Sequence, residues 1–155
     1  MNWRMIVTAL GVAVFVIPSI GAVQEKKISR KDLPAAVEKT VAEQANGATI
    51  LGFSTELEHG KRLYEAELVV NGHSKDISMD ASGKIIEIEE EVAIDSLPAK
   101  IKDGLSTLAG AGTITKVESL TKSGKLVAYE AAVKTGTKRS EVQVGPDGQK
   151  LAHPE

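Results

Sequence analysis

Apolar and polar residues alternate along Tyr64-Glu65-Ala66-Glu67-Leu68-Val69-Val70. Tyr64, Ala66, Leu68 and Val70 fall on one side, and Glu65, Glu67 and Val69 on the other. A period of two predicts a strand with one buried and one solvated face. Tyr129-Glu130-Ala131-Ala132-Val133-Lys134 is a second copy of the pattern, and its surroundings recur in the same order. Ahead of each copy a Leu-Pro pair (Leu33-Pro34, Leu97-Pro98) opens a stretch of helical period. Leu33, Val37, Val41 and Ala45 make one apolar stripe; Leu97, Ile101, Leu105 and Leu108 or Ala109 make the other. Asp32 is placed to cap the first helix, with Pro34 tolerated in its first turn. Gly47 closes that helix, and Gly110 and Gly112 close the second.

Between helix and Tyr strand, Thr49 to Leu57 reads as a strand rich in β-branched and apolar residues, matched later by Thr113-Ile114. Asn71-Gly72 is a hairpin signal, because both residues accept positive φ. Ile77 and Met79 then alternate with Asp76, Ser78 and Asp80, and Asp80-Ala81-Ser82-Gly83 turns into Lys84-Ile85-Ile86-Glu87-Ile88. A carboxylate run follows, Glu89-Glu90-Glu91, read as a solvated connector.

The interval from Tyr64 to Tyr129 is one position longer than that from Leu33 to Leu97, so the second copy carries an extra residue in its first hairpin. Loops tolerate insertions that strands do not. The pattern predicts an α+β protein of two tandem helix-plus-antiparallel-sheet repeats, over 32–94 and 95–155, each helix packed on one face of its sheet. Domains of ~60 residues are marginal alone. The halves are therefore expected to join, edge to edge in one sheet or through a shared core.

Residues 1–22 have the layout of a secretory signal peptide: Arg4, an apolar run from Met5 to Ile17, then Pro18 and small residues to Ala22. Residues 23–31 are expected to form a loose polar leader. The reading makes the protein exported, periplasmic or extracellular, with no membrane segment after cleavage. Only 3% of residues are aromatic, so Val, Ile, Leu and Ala must build the core. A formal net charge of -2 supplies no field for nucleic acid. With no cysteine, disulfides, thiolate metal sites and a Cys nucleophile are excluded.

Little catalytic chemistry is available. His59, His73 and His153 match no zinc spacing and read as solvated. Ser54, Ser78 and Ser82 lie in no nucleophile elbow, and no phosphate-binding loop occurs. Glu87, Glu89 and Glu91 would share one face of a strand, a row that calcium could use. Ser78 to Glu89 also has partial EF-hand spacing through Asp80, Gly83 and Glu89, although Ser stands first and Ile85 and Ile86 interrupt it. A hairpin turn is the better reading. The outer sheet face is the candidate binding surface: Glu65, Glu67, Asp76 and Ser78 in the first half, Glu130, Lys134, Glu141 and Gln143 in the second. Its alternative is the plain wet side of an antiparallel sheet.

The order of Leu-Pro helix, apolar strand, Tyr-Glu-Ala strand and Ile77-Ser78-Met79-Asp80-Ala81-Ser82-Gly83-Lys84-Ile85 resembles the PepSY-like domain. Two copies behind a signal peptide look like the secreted PepSY-like proteins related in fold to the β-lactamase inhibitory protein. The second copy departs at Gly145-Pro146-Asp147-Gly148, which suggests a truncated last strand. The resemblance implies a non-enzymatic binding module without cofactor, whose partner is a protein, a peptidase among the options. The alternative expectation is a calcium-responsive or structural envelope protein.

Overall fold

The structure is a computed structural model and describes residues 25–155 apart from residue 59. The signal segment expected over 1–22 and the turn histidine expected at 59 lie outside the described residues. Eight strands and two helices follow in order: β1 (Lys26–Ile28), α1 (Ala35–Gln44), β2 (Thr49–Glu58), β3 (Lys61–Val70), β4 (His73–Asp80), β5 (Ile85–Glu91), α2 (Ala99–Ala109), β6 (Thr113–Lys122), β7 (Lys125–Thr135) and β8 (Lys138–Val144). All eight strands form one sheet in chain order, each antiparallel to its neighbours. The protein is α+β. Of the two ways of joining the halves, the edge-to-edge one is observed, through pairing of β5 with β6.

Each helix buries its stripe against the sheet. Val37 and Val41 pack with Phe53, Ala66, Leu68, Ile77 and Met79, while Leu33 and Ala45 lie at the margin of this cluster. Leu97, Ile101 and Leu105 pack with Val117, Ala131, Val133 and Val144. Directly paired residues of an antiparallel sheet share a face, and the chain of pairs Leu68–Lys75–Glu90–Ser119–Tyr129 crosses the joint. Leu68 belongs to the first cluster and Tyr129 lines the second, so both helices lie on one side and leave the other bare.

Three expectations are corrected. Residues 26–28 are not loose leader: they form β1, Lys27 pairing with Ser54 and Ile28 with Phe53, and Ile28 packs on the first core. Asp32 does not cap α1. It ends a 3-10 turn (Arg30–Asp32), its Oδ2 accepting from the Ser29 amide, and Pro34 holds the cap position. Glu89, Glu90 and Glu91 are not a solvated connector but the end of β5: Glu89 and Glu90 pair with β4 and β6, and Glu91 with β6.

Register recurs with the sequence offset. Lys26 pairs with Thr55, and the residues at the equivalent sequence offset, Glu90 and Ser119, pair likewise. Met79 pairs with Ile85, and the residues at the equivalent offset, Val144 and Lys150, form a bridge. That bridge is isolated, and residues 151–155 carry no strand.

Asn71-Gly72 takes positive φ at both positions (52° and 88°), and Ser123-Gly124 does the same (49° and 79°). Gly83 and Gly148 also have positive φ, but they are pressed against the helices. A Cβ on Gly83 would overlap the Ala36 carbonyl, and one on Gly148 the Lys100 carbonyl; at Gly124 it would meet nothing. Gly148→Ala should therefore cost about 2–4 kcal/mol, combining φ strain with overpacking, whereas Gly124→Ala should cost about 1 kcal/mol. Chemical denaturation of the two variants measures the gap. Equal losses would mean that the turn does not press on α2.

Candidate functional site

The bare face carries the other half of every alternation. Glu65, Ser78 and Glu87 stand in one cross-strand row, and Glu67, Asp76 and Glu89 in the next. Glu91, Glu118, Glu130 and Gln143 continue the array across the joint. A single cleft of about 490 Å³ is lined by Glu25 and Lys27 beside β1 and by Arg139 and Glu141 of β8. Opposite ends of the sheet meet in one cleft, so the face is concave. Its lining holds eight carboxylates (Glu25, Glu65, Glu67, Asp76, Glu89, Glu118, Glu130 and Glu141) against three cations (Lys27, Lys116 and Arg139), which makes it an anionic hollow. A side chamber of about 120 Å³ lies between Glu65, Asp76, Ser78, Glu87 and Glu89. Leu120 and Ala128, register neighbours of Glu89 on this side of the sheet, are buried (2% and 0% exposed) and do not line the cleft.

Crowding sets the electrostatics. Burial pushes Glu89 up to about 9, with Glu87, Glu118 and Glu130 adding repulsion. Burial, then Asp76, raises Glu65 to about 7; burial, then Glu118, raises Asp76 to about 6. Burial also raises Glu130, against the pull of the Gln143 amide that donates to it at 2.6 Å, and burial with Glu130 raises Glu141. The cations neutralise part of the array. Burial works against the charge of Lys27, but its bonds to Glu67 and Glu25 hold it at about 12. Burial likewise opposes Lys116, and Glu118, 2.7 Å away and 7% exposed, outweighs it.

The oxygens of Asp76, Glu89 and Glu118 all lie within 4.8 Å of one another, a spacing that one cation bound at 2.3–2.6 Å could bridge. Only Glu89 of the row Glu87, Glu89 and Glu91 belongs to this group. Glu91 instead accepts from the Ser74 amide at 3.1 Å and sits 3.5 Å from His73. The EF-hand-like segment is a hairpin, Asp80 Oδ1 accepting from the Ser82 and Lys84 amides.

Of the eight residues expected on the binding face, Glu65, Glu67, Asp76, Glu130 and Glu141 line the cleft and Ser78 its side chamber. Gln143 buttresses Glu130. Lys134 lies on the same face, but exposed beyond the cleft near the end of β7. Sequence reasoning weighed Glu87 and Glu89 only in a calcium row with Glu91, left them off the binding face, and missed Glu118 and the cations Lys27, Lys116 and Arg139. Alternation through β6, with Lys116 and Glu118 flanking the core residue Val117, could have pointed to two of them. Among the described residues, cleft and side chamber contain no histidine, and Ser78 has only carboxylates around it there, so no described nucleophile has a neighbouring imidazole base. Among the described residues no helix is long and apolar enough to cross a membrane.

No family model matches the chain, and no curated protein matches it. Solved structures share the fold. A DUF2874 family protein from Bacteroides ovatus is 16% identical with a TM-score of 0.60, covering 77% of this chain and 84% of its own. A Bacteroides eggerthii protein, provisionally described as periplasmic, is 15% identical with a TM-score of 0.62, covering 77% and 86%. A BLIP-like protein from Bacteroides fragilis is 18% identical with a TM-score of 0.56, covering 77% and 83%. The chain thus has a BLIP-like fold.

The raised carboxylates fix the sign of the pH dependence. Their folded pKa values lie above the ordinary carboxylate value of about 4.3, so the folded state holds protons that the unfolded chain releases. Stability should fall as pH rises from about 4.3 through the value of about 9 at Glu89. Thermal melts are expected to give a higher Tm at pH 5.5 than at pH 8.5. Glu89→Gln should raise the Tm at pH 8.5 and flatten the profile. A variant that melts lower than wild type at pH 8.5 would contradict the assignment.

Proposed function

We propose that the protein is an exported, periplasmic, non-catalytic module that binds a basic segment of a protein partner in its concave acidic cleft. The observation that carries this reading is the imbalance of eight carboxylates to three cations in one cleft. Incoming Lys or Arg side chains would relieve the repulsion that protons now relieve at Glu89 and Glu65. The BLIP-like fold and the description of a neighbour as periplasmic support the setting and the protein-binding theme. Within this reading the chain is two tandem copies of one unit of the PepSY-like kind, supported by the recurring registers. A peptidase is the partner class that the resemblance favours, with inhibition as the effect.

The test is capture from an envelope fraction by the mature protein, compared with a Glu65→Gln/Asp76→Asn double variant. Both substitutions keep shape and remove charge. Capture of the specific partner should weaken about tenfold at low ionic strength and lose its salt sensitivity. Undiminished capture by the folded variant would dismiss the cleft as the binding site.

The triad of Asp76, Glu89 and Glu118 favours a second reading, a divalent cation bound in the same cleft. Oxygen-only donors suit calcium, and binding would have to expel the proton that Glu89 holds. Calorimetry with calcium at pH 7 should then show proton release and a Tm increase, both lost in Glu118→Gln. No heat at millimolar calcium would remove the metal reading and leave the protein-binding one untouched.

A further inference from the structure

The second half of the sheet lacks a strand that the first half has. In the first half β5 covers the outer edge of β4 from Lys75 to Met79, and its Ile88 pairs with Ile77, which is fully buried. The equivalent edge in the second copy is Ser140 to Val144 of β8, and only the bridge from Val144 to Lys150 remains of the covering ladder. The chain then leaves the edge. The Glu155 amide donates to Gln143 Oε1 at 2.8 Å and its carboxylate lies 3.7 Å from Lys122, over the concave face. Val142, the counterpart of Ile77, is left half-buried beside the second core. Among the described residues no strand pairs with this side of β8 between Ser140 and Gln143.

We propose that this vacant position receives an extended strand donated by a partner protein, antiparallel to β8, adding a ninth strand to the sheet. The inference uses the edge, which shares Glu141 with the rim of the cleft, and it rests on the two-copy reading above. The arrangement in the first half specifies the chemistry of the guest. One apolar side chain seats over Val142, as Ile88 seats over Ile77. Its two neighbours along the guest point to the concave side, beside Glu141 and Gln143. Burial and the nearby Glu130 and Glu118 carboxylates disfavour charge on Glu141, so cationic residues are preferred there. Main-chain hydrogen bonds supply affinity in strand addition, and alternate side chains supply selectivity. The guest is thus a basic-apolar-basic extended segment. The opposite edge is a poorer host, because β1 already covers Phe53 to Thr55 of β2.

The probe is a synthetic peptide with the sequence of residues 84–91 carrying Glu87→Lys and Glu89→Lys, which keeps Ile88 between two lysines. It is added to the mature protein and followed by amide hydrogen exchange and NMR shifts. At millimolar peptide, exchange at Ser140 to Val144 should slow at least tenfold, with shifts centred on β8. The unmodified acidic peptide should bind at least tenfold more weakly, and a version with Ile88→Pro should not protect β8. Binding should persist in the Glu65→Gln/Asp76→Asn variant, which separates this edge from the cleft. Shifts confined to β3, β4 and β5, protection at β2 instead, or no response would overturn the proposal. So would protection of β8 that depends on protein concentration without peptide, since a second copy would then occupy the edge.

Discussion

Pairing of β5 with β6 is the interaction on which the rest of the molecule depends. Five residue pairs, from Glu87 with Lys122 to Glu91 with Glu118, turn two small helix-and-sheet units into one sheet. Neither unit offers more than one helix to cover its strands, and a single core of that size is marginal. The ladder keeps the two clusters separate, one under α1 and one under α2, while it satisfies the backbone of the strand between them. Its register also fixes sidedness. A slip of one residue would exchange the faces of an entire half. The observed register sets both helices on one side and the carboxylates of both halves on the other.

The concave face follows from this joint and carries a cost. Carboxylates from six strands converge where water is partly excluded, and the protein answers in two ways. Lys27 and Lys116 are held against Glu67 and Glu118, while Glu89, Glu65 and Asp76 are shifted toward their neutral forms. Neither device uses up the face. Shifted carboxyl groups keep their oxygens and can regain charge beside a cation, so the same crowding that strains the free protein favours a cationic ligand. Strongly perturbed carboxylates in a cleft mark a functional candidate for this physical reason.

The two sheet edges are treated differently. At one end β1 pairs three residues with β2 and sets Lys26 and Lys27 at the margin, a short and charged edge of the kind that resists unwanted pairing. At the other, β8 is seven residues long, and among the described residues the one backbone bridge on its outer edge is that from Val144 to Lys150. The turn at Gly148 is locked under α2, and residues 151–155 beyond it carry no strand.

Local features were legible in the sequence because short-range rules govern them. The two helical stripes predicted Val37, Val41, Ile101 and Leu105 inside, and all are buried. Asn71-Gly72 announced a turn that needs positive φ at both positions, and the Tyr64 strand showed its faces by alternation. The acidic residues of β3 and β4 could be placed on one face for the same reason. Glu89 could not: a run of three glutamates has the composition of a solvated linker, and only pairing with β4 and β6 makes it a central strand. β1 was equally invisible, since Lys26-Lys27-Ile28 is too short to carry a period and forms because β2 offers it an edge. Periodicity records which way a side chain points within its own element. Which elements become neighbours, and how far a carboxylate is removed from water, is decided by contacts between residues far apart in the chain, and only the tertiary structure contains those.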